Sequence, residues 1–122
     1  MAQKVANDIK TLTDTIVEGL QEKKGLDITL MDLRKLPGAV TDFFVICTAS
    51  SDRQAQALAA SVEHLLKVKL DERPFNKEGQ ARGEWILLDY INAVVHIFLR
   101  DKREFYNIED LWGDAEIRRI ED

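Results

Sequence analysis

Apolar residues recur every three or four positions from Val5 through Ile9, Leu12, Ile16 and Leu20, with polar and charged residues between them. That spacing predicts an amphipathic helix ending near Lys24-Gly25, where glycine suits a helix C-cap. The period then drops to two. In "DITLMDL" (27–33) Ile28, Leu30 and Asp32 fall on one face and Thr29, Met31 and Leu33 on the other. This reads as a strand that breaks at Leu36-Pro37-Gly38. "FFVICTA" (43–49) is a continuous apolar, β-rich run, the pattern of a central strand covered on both faces. Ser51 and Gln54 then have the spacing of a capping box, and Leu58, Val62, Leu65, Leu66 and Leu70 give the following helix its buried stripe.

"RPFNKEGQARGE" (73–84) reads as a turn-rich connector in which a further short strand has room. Within "GEWILLDYINAVVHIFL" (83–99) two strands joined by a two-residue turn at Ile91-Asn92 would pair Trp85 with Phe98, Leu87 with His96 and Asp89 with Val94. A last helix starts at Asp101 with Glu104. Its apolar residues Phe105, Ile108, Leu111 and Trp112 share one side, Tyr106 falls off that stripe, and Gly113 closes it. The predicted order is α-β-β-α-(β)-β-β-α, an α/β (α+β) fold with a mixed sheet and helices packed on it. One domain spans residues 1–112, and 113–122 is a charged tail.

Charge and composition narrow the function classes. A net charge of −5 argues against a chain whose main grip is on nucleic-acid phosphates. It leaves open a grip on the basic proteins of a nucleoprotein assembly. The single cysteine, Cys47, excludes an intramolecular disulfide and a multi-thiolate metal site. Neither a signal peptide nor a membrane-spanning run is present, so the expected compartment is the cytoplasm, with no membrane partner.

Asp89 and His96 lie diagonally on one face of the predicted hairpin, two-thirds of a nucleophilic triad. No G-x-S-x-G elbow supplies a nucleophile, so the alternative is a polar contact that satisfies a half-buried histidine. His64 has no partner at metal-ligand spacing, and no phosphate-binding glycine loop occurs. The turn at Ser50-Ser51 enters a helix N-terminus, a generic anion-friendly place. The reading therefore assigns no catalytic residue, no metal and no cofactor. What remains is aromatic surface in the C-terminal third: Trp85, Tyr90, Phe98, Phe105, Tyr106 and Trp112. Around it, residues 100–122 carry eight acidic against five basic side chains. An aromatic patch with an acidic rim suits a basic protein partner, and core packing would use the same residues.

Three segments in order resemble the Iojap family, the ribosomal silencing factors: "TDFFVICTASSDRQAQALA" (41–59), "EGQARGEWILLDYINAVVHIF" (78–98) and "REFYNIEDLW" (103–112). The more specific marks are Thr41-Asp42, the Trp85–Asp89–His96 series and the Tyr106…Leu111-Trp112 ending. The resemblance implies a nucleotidyltransferase-like fold without enzymatic activity; the glycine-serine and D-x-D/E metal pair of such transferases is absent. It implies binding to the large ribosomal subunit through its fourteenth protein, with minor rRNA contact if any. The implied outcome is a steric block to subunit joining that represses translation in starvation or stationary phase. Assembly of the large subunit is the alternative use of the same interface, and a nucleotide-binding enzyme a more distant one. Carried over residue by residue, Trp85 and Tyr106 are contacts, and Asp89, Glu104 and Glu109 face partner Lys or Arg. Leu111 and Trp112 belong to the same region, although their spacing also suits the core. Away from the ribosome, an exposed apolar patch is available to pair two copies.

Overall fold

A computed structural model describes residues 8–121. Along the chain run α1 (Ile9–Glu22), β1 (Leu26–Asp32), β2 (Phe43–Ala49), α2 (Asp52–Leu70), β3 (Asn76–Glu78), β4 (Trp85–Asp89), β5 (Ala93–Leu99), α3 (Arg100–Tyr106), α4 (Ile108–Leu111) and β6 (Glu116–Arg119). The strands form one sheet in the order β3-β4-β5-β2-β1-β6. β2 and β5 pair in parallel at its centre, and the other neighbours are antiparallel.

Every residue of β2 is buried, as its unbroken apolar run requires of a strand covered on both sides. α1 and α2 cover one face. Leu12, Ile16 and Leu20 of α1 and Leu58, Val62 and Leu66 of α2 meet Val45, Cys47, Val95 and Ile97 in the larger core cluster. The helices approach closely at Gly19, where a Cβ would stand 3.0 Å from Val62 Cα, and Ser61 Oγ donates to the Gly19 carbonyl at 2.7 Å. The opposite face carries a smaller cluster of Met31, Leu33, Phe44, Ile46, Val94 and Phe98. It is covered by side chains of the 33–42 loop, β4 and the short α3–α4 segment.

The hairpin register agrees with the sequence expectation at every pair, including Trp85 with Phe98 and Leu87 with His96. The faces expected of β1 also hold, with Ile28 and Leu30 toward the helices and Met31 and Leu33 away. Ser51 Oγ accepts from Gln54 N at 3.1 Å as a capping box needs. The reciprocal bond is displaced: Gln54 Oε1 takes Ser50 N instead, and Gln54 Nε2 reaches back to the carbonyls of Lys23 and Lys24.

Three expectations are corrected. Val5 lies outside the described residues, and α1 ends at Glu22 with the left-handed residue at Lys24 (φ 59°) rather than at Gly25. Gly25 is required for space instead, since a Cβ there would collide with Cys47 Sγ. The 73–84 connector does contain the short strand for which it has room, the edge strand β3, antiparallel to β4. The last helix is two pieces, because Asn107 adopts the left-handed conformation (φ 44°) between α3 and α4. Finally, the segment read as a tail from 113 onward contains β6, which pairs with β1 from Thr29↔Arg119 to Asp32↔Glu116. An edge strand exposed on both faces needs no apolar alternation, so its sequence carries little signal.

Candidate interaction surface

The open face is organised by Trp85. Strand alternation sends its side chain to the face away from α1 and α2, opposite Phe98, and the two rings stack at 4.8 Å. α3 follows β5 without a loop, so after two turns its end returns Tyr106 over the same indole, at 4.6 Å between ring centroids. Phe105 meets Tyr106 edge-on at 5.1 Å. Trp85 is half-buried, whereas Tyr106 is 47% and Phe105 79% exposed. The result is an aromatic platform with one layer in the core and one in solvent.

His96 lies beneath it, 4% exposed and edge-on to Phe44 at 4.6 Å. The indole Nε1 of Trp85 donates to His96 Nδ1 at 3.1 Å. The imidazole must therefore present a bare Nδ1, with its proton on Nε2, which has no partner among the described residues. Burial lowers its pKa to about 4, so the ring is neutral near pH 7. The expected Asp89–His96 couple does not form. Asp89 Oδ1 instead accepts the amide of Ile91 at 2.7 Å, inside its own turn. The acid–base reading thus loses its carboxylate as well as its nucleophile. The histidine serves as the acceptor that fixes the indole.

Behind the platform, a buried guanidinium holds α3 and α4 to the sheet. Arg103 donates to Glu109 through Nε and Nη2 at 3.0 Å each, to Thr48 Oγ1 at 2.9 Å, to Thr29 Oγ1 at 3.0 Å and to the Asp27 carbonyl at 2.8 Å. All five donors of the fork are thereby used. The Arg103 hydrogen bonds hold the Glu109 carboxyl below its usual pKa. Glu109 was expected to face a partner's lysine or arginine. It is committed inward, because the Asn107 kink brings it against a residue six positions earlier. Glu104 is exposed on α3, as a partner-facing acid would be.

The remaining expected contacts divide. Leu111 is 74% exposed, while Trp112 and Ile108 pack against the open-face cluster. Phe105, placed on the buried stripe by helical spacing, is solvent-facing because the stripe does not survive the kink. Tyr106 is at the platform's edge, as its off-stripe position implied.

The anion-friendly turn is already occupied by the chain itself. Ser50 N donates to Gln54 Oε1, Arg53 N to Asp52 Oδ1 and Gln54 N to Ser51 Oγ. Asp52 also adds a negative charge to the first turn of α2. Among the described residues, no group of three or more His, Cys, Asp or Glu stands together as metal ligands require, and no helix is long and apolar enough to cross a membrane. Cys47 is buried, and desolvation raises its thiol pKa to about 12, so it is not a nucleophile at neutral pH.

Comparison with known proteins gives this surface a context. The family described as "Ribosomal silencing factor during starvation" matches residues 6–122, and so takes in β6. The ribosomal silencing factor RsfS of Bacillus subtilis is 33% identical over 115 residues, 92% of this chain and 93% of that protein. A mouse protein named "Mitochondrial assembly of ribosomal large subunit protein 1" is 30% identical over 103 residues, 81% of this chain and 44% of its own length. A crystal structure of a Chromobacterium violaceum protein superposes with a TM-score of 0.83 at 34% identity, covering 95% of each chain. The fold, the ordered motifs and the match along nearly the whole length place this chain in the family of ribosomal silencing factors.

Proposed function

We propose that the chain represses translation in the cytoplasm by binding the large ribosomal subunit at its fourteenth protein, blocking the approach of the small subunit. The observation that carries this reading is the Trp85–Tyr106–Phe105 platform, left in solvent on the sheet face that neither long helix covers. Tyr and Trp concentrate binding energy at interfaces because they bury large rigid rings at low entropic cost. Leu111 of α4 is also exposed, and Glu104 of α3 is available to meet basic side chains of a ribosomal protein. The mechanism is steric. A domain of 14.0 kDa seated on a docking surface excludes another particle with no bond made or broken. That economy accords with a buried neutral histidine, an inert thiol and a helix N-terminus filled by its own side chains.

Sedimentation of purified subunits with and without the protein tests the reading. It is expected to travel with the large subunit and to lower the fraction of joined ribosomes. Failure to do either contradicts it. A second reading, in which the same surface holds immature large subunits during assembly, is favoured by the name of the mouse relative. Accumulation of a large-subunit precursor on deletion, with normal joining of mature subunits, would select it.

A further inference from the structure

The β4–β5 turn contains a residue that the fold itself does not favour. Ile91 sits at φ 73°, with Asn92 N donating to the Tyr90 carbonyl at 2.9 Å across it. That is a γ-turn of the strained kind, a place for glycine rather than a β-branched side chain. Nothing is gained inside the protein in return, since Ile91 is 61% exposed. The turn is nevertheless held from both sides. Asp89 Oδ1 accepts the Ile91 amide at 2.7 Å, and Thr41 Oγ1 donates to its carbonyl at 2.7 Å. Val40, 77% exposed, precedes the clamping threonine. Val40 and Ile91 line one shallow depression of about 310 Å³ whose lining is mixed, with Leu36 and Ala39 beside the polar Arg34 and Asp42.

We infer that Ile91, with Val40, is a second apolar contact for the same basic ribosomal protein, extending the docking surface from the Trp85 platform to the far end of β4. This rests on the functional reading above. Trp85, Leu87 and Asp89 run along β4 on the open face directly to this turn, so the two apolar tips are joined by continuous surface. The span from Trp85 to Ile91 is about 20 Å at strand rise, the breadth of an ordinary protein–protein patch. Asp42 and Asp89 flank the turn, and Arg34 on the same depression is paired with Asp32 at 2.8 Å, which leaves the turn's surroundings net negative and suited to a basic partner. The strain is explained if the side chain is retained for what it touches in the complex.

The test is Ile91→Gly, with Val40→Ser as a second variant that leaves the turn alone. Ile91→Gly relieves the backbone, so its Tm is expected to rise by about 2–5 °C, while affinity for purified large subunits falls about fivefold to tenfold. Val40→Ser is expected to weaken binding by about threefold with little change in Tm. A raised Tm with wild-type affinity in both variants would overturn the inference, leaving Ile91 as tolerated strain. Loss of self-association alone, with subunit affinity unchanged, would overturn it in favour of a second copy as occupant. If wild type itself fails to bind large subunits, the functional reading falls first and this inference with it.

Discussion

Toward α1 and α2 the central strands turn Val45, Cys47, Val95 and Ile97 against Ile16, Leu58 and Val62, a layer sealed by two helices of 14 and 19 residues. Toward the other side the same strands turn Phe44, Ile46, His96 and Phe98, which among the described residues are covered by a loop, side chains of β4 and the broken helix with the residues just after it. The first side is closed by generic apolar volume, which many sequences could supply. The second contains a histidine that holds an indole by a hydrogen bond, and aromatic rings in solvent. Each side buries one polar atom without a partner among the described residues, the Tyr90 hydroxyl on the first and His96 Nε2 on the second, so that cost does not distinguish them. What distinguishes the second side is the pair of rings it leaves in solvent, Tyr106 and Phe105, as a face that presents a surface does.

The largest expected effect comes from the support beneath that surface. Arg103→Leu removes five hydrogen bonds and leaves the Glu109 carboxylate with Arg119, at 3.9 Å, as its one ion pair among the described residues. Breaking such a pair is expected to cost about 3–5 kcal/mol and to displace Phe105 and Tyr106. Chemical denaturation and subunit binding should both suffer. The paired change Arg103→Leu with Glu109→Leu is expected to regain part of the stability but not the binding.

On the sealed face, Leu58→Ala creates a cavity in a fully buried position and should cost about 3 kcal/mol. The folded fraction is expected to bind subunits as wild type does. A specific loss of affinity there would erase the contrast between the faces.

A smaller effect isolates His96. Its folded pKa of about 4 lies below the ordinary 6.5, so the unfolded chain takes up a proton that the folded one refuses. The stabilising contribution of the neutral ring is complete above pH 6.5 and is lost as pH falls toward 4, by at most about 1.4 kcal/mol per pH unit. His96→Phe keeps the packing and removes the titration. Its denaturation curves should be flatter with pH than wild type across that window. The same variant frees the Trp85 indole, so a shift in its fluorescence emission is expected at pH 7.

Much of this was legible in the sequence, because side-chain period and turn length fix a hairpin's register. Trp85 had to face Phe98 once the turn was placed at Ile91-Asn92. The unbroken run of β2 likewise required burial on both faces. What escaped was decided by competition for partners. Asp89 and His96 are diagonal neighbours on one face, but the free amide of the γ-turn lies nearer the carboxylate, and the indole nearer the imidazole. Glu109 looked like a solvent acid because helical spacing gives it no basic neighbour. The kink at Asn107 creates one in Arg103, and the same kink sends Phe105 outward. β6 escaped for want of any pattern, since both its faces are wet. The asparagine between two apolar stretches was the one signal of the break, asparagine being tolerant of left-handed backbone.

The contrast between the faces is tested most directly by equilibrium binding of purified large subunits to wild type, Tyr106→Glu and Leu58→Ala at one salt concentration. Tyr106→Glu changes a side chain already 47% exposed, so the fold should stand, and affinity is expected to fall by at least about tenfold. Leu58→Ala should lose stability and keep its affinity. Undiminished binding by Tyr106→Glu, or a matching loss in Leu58→Ala, would contradict the assignment of the open face as the ribosome-binding surface.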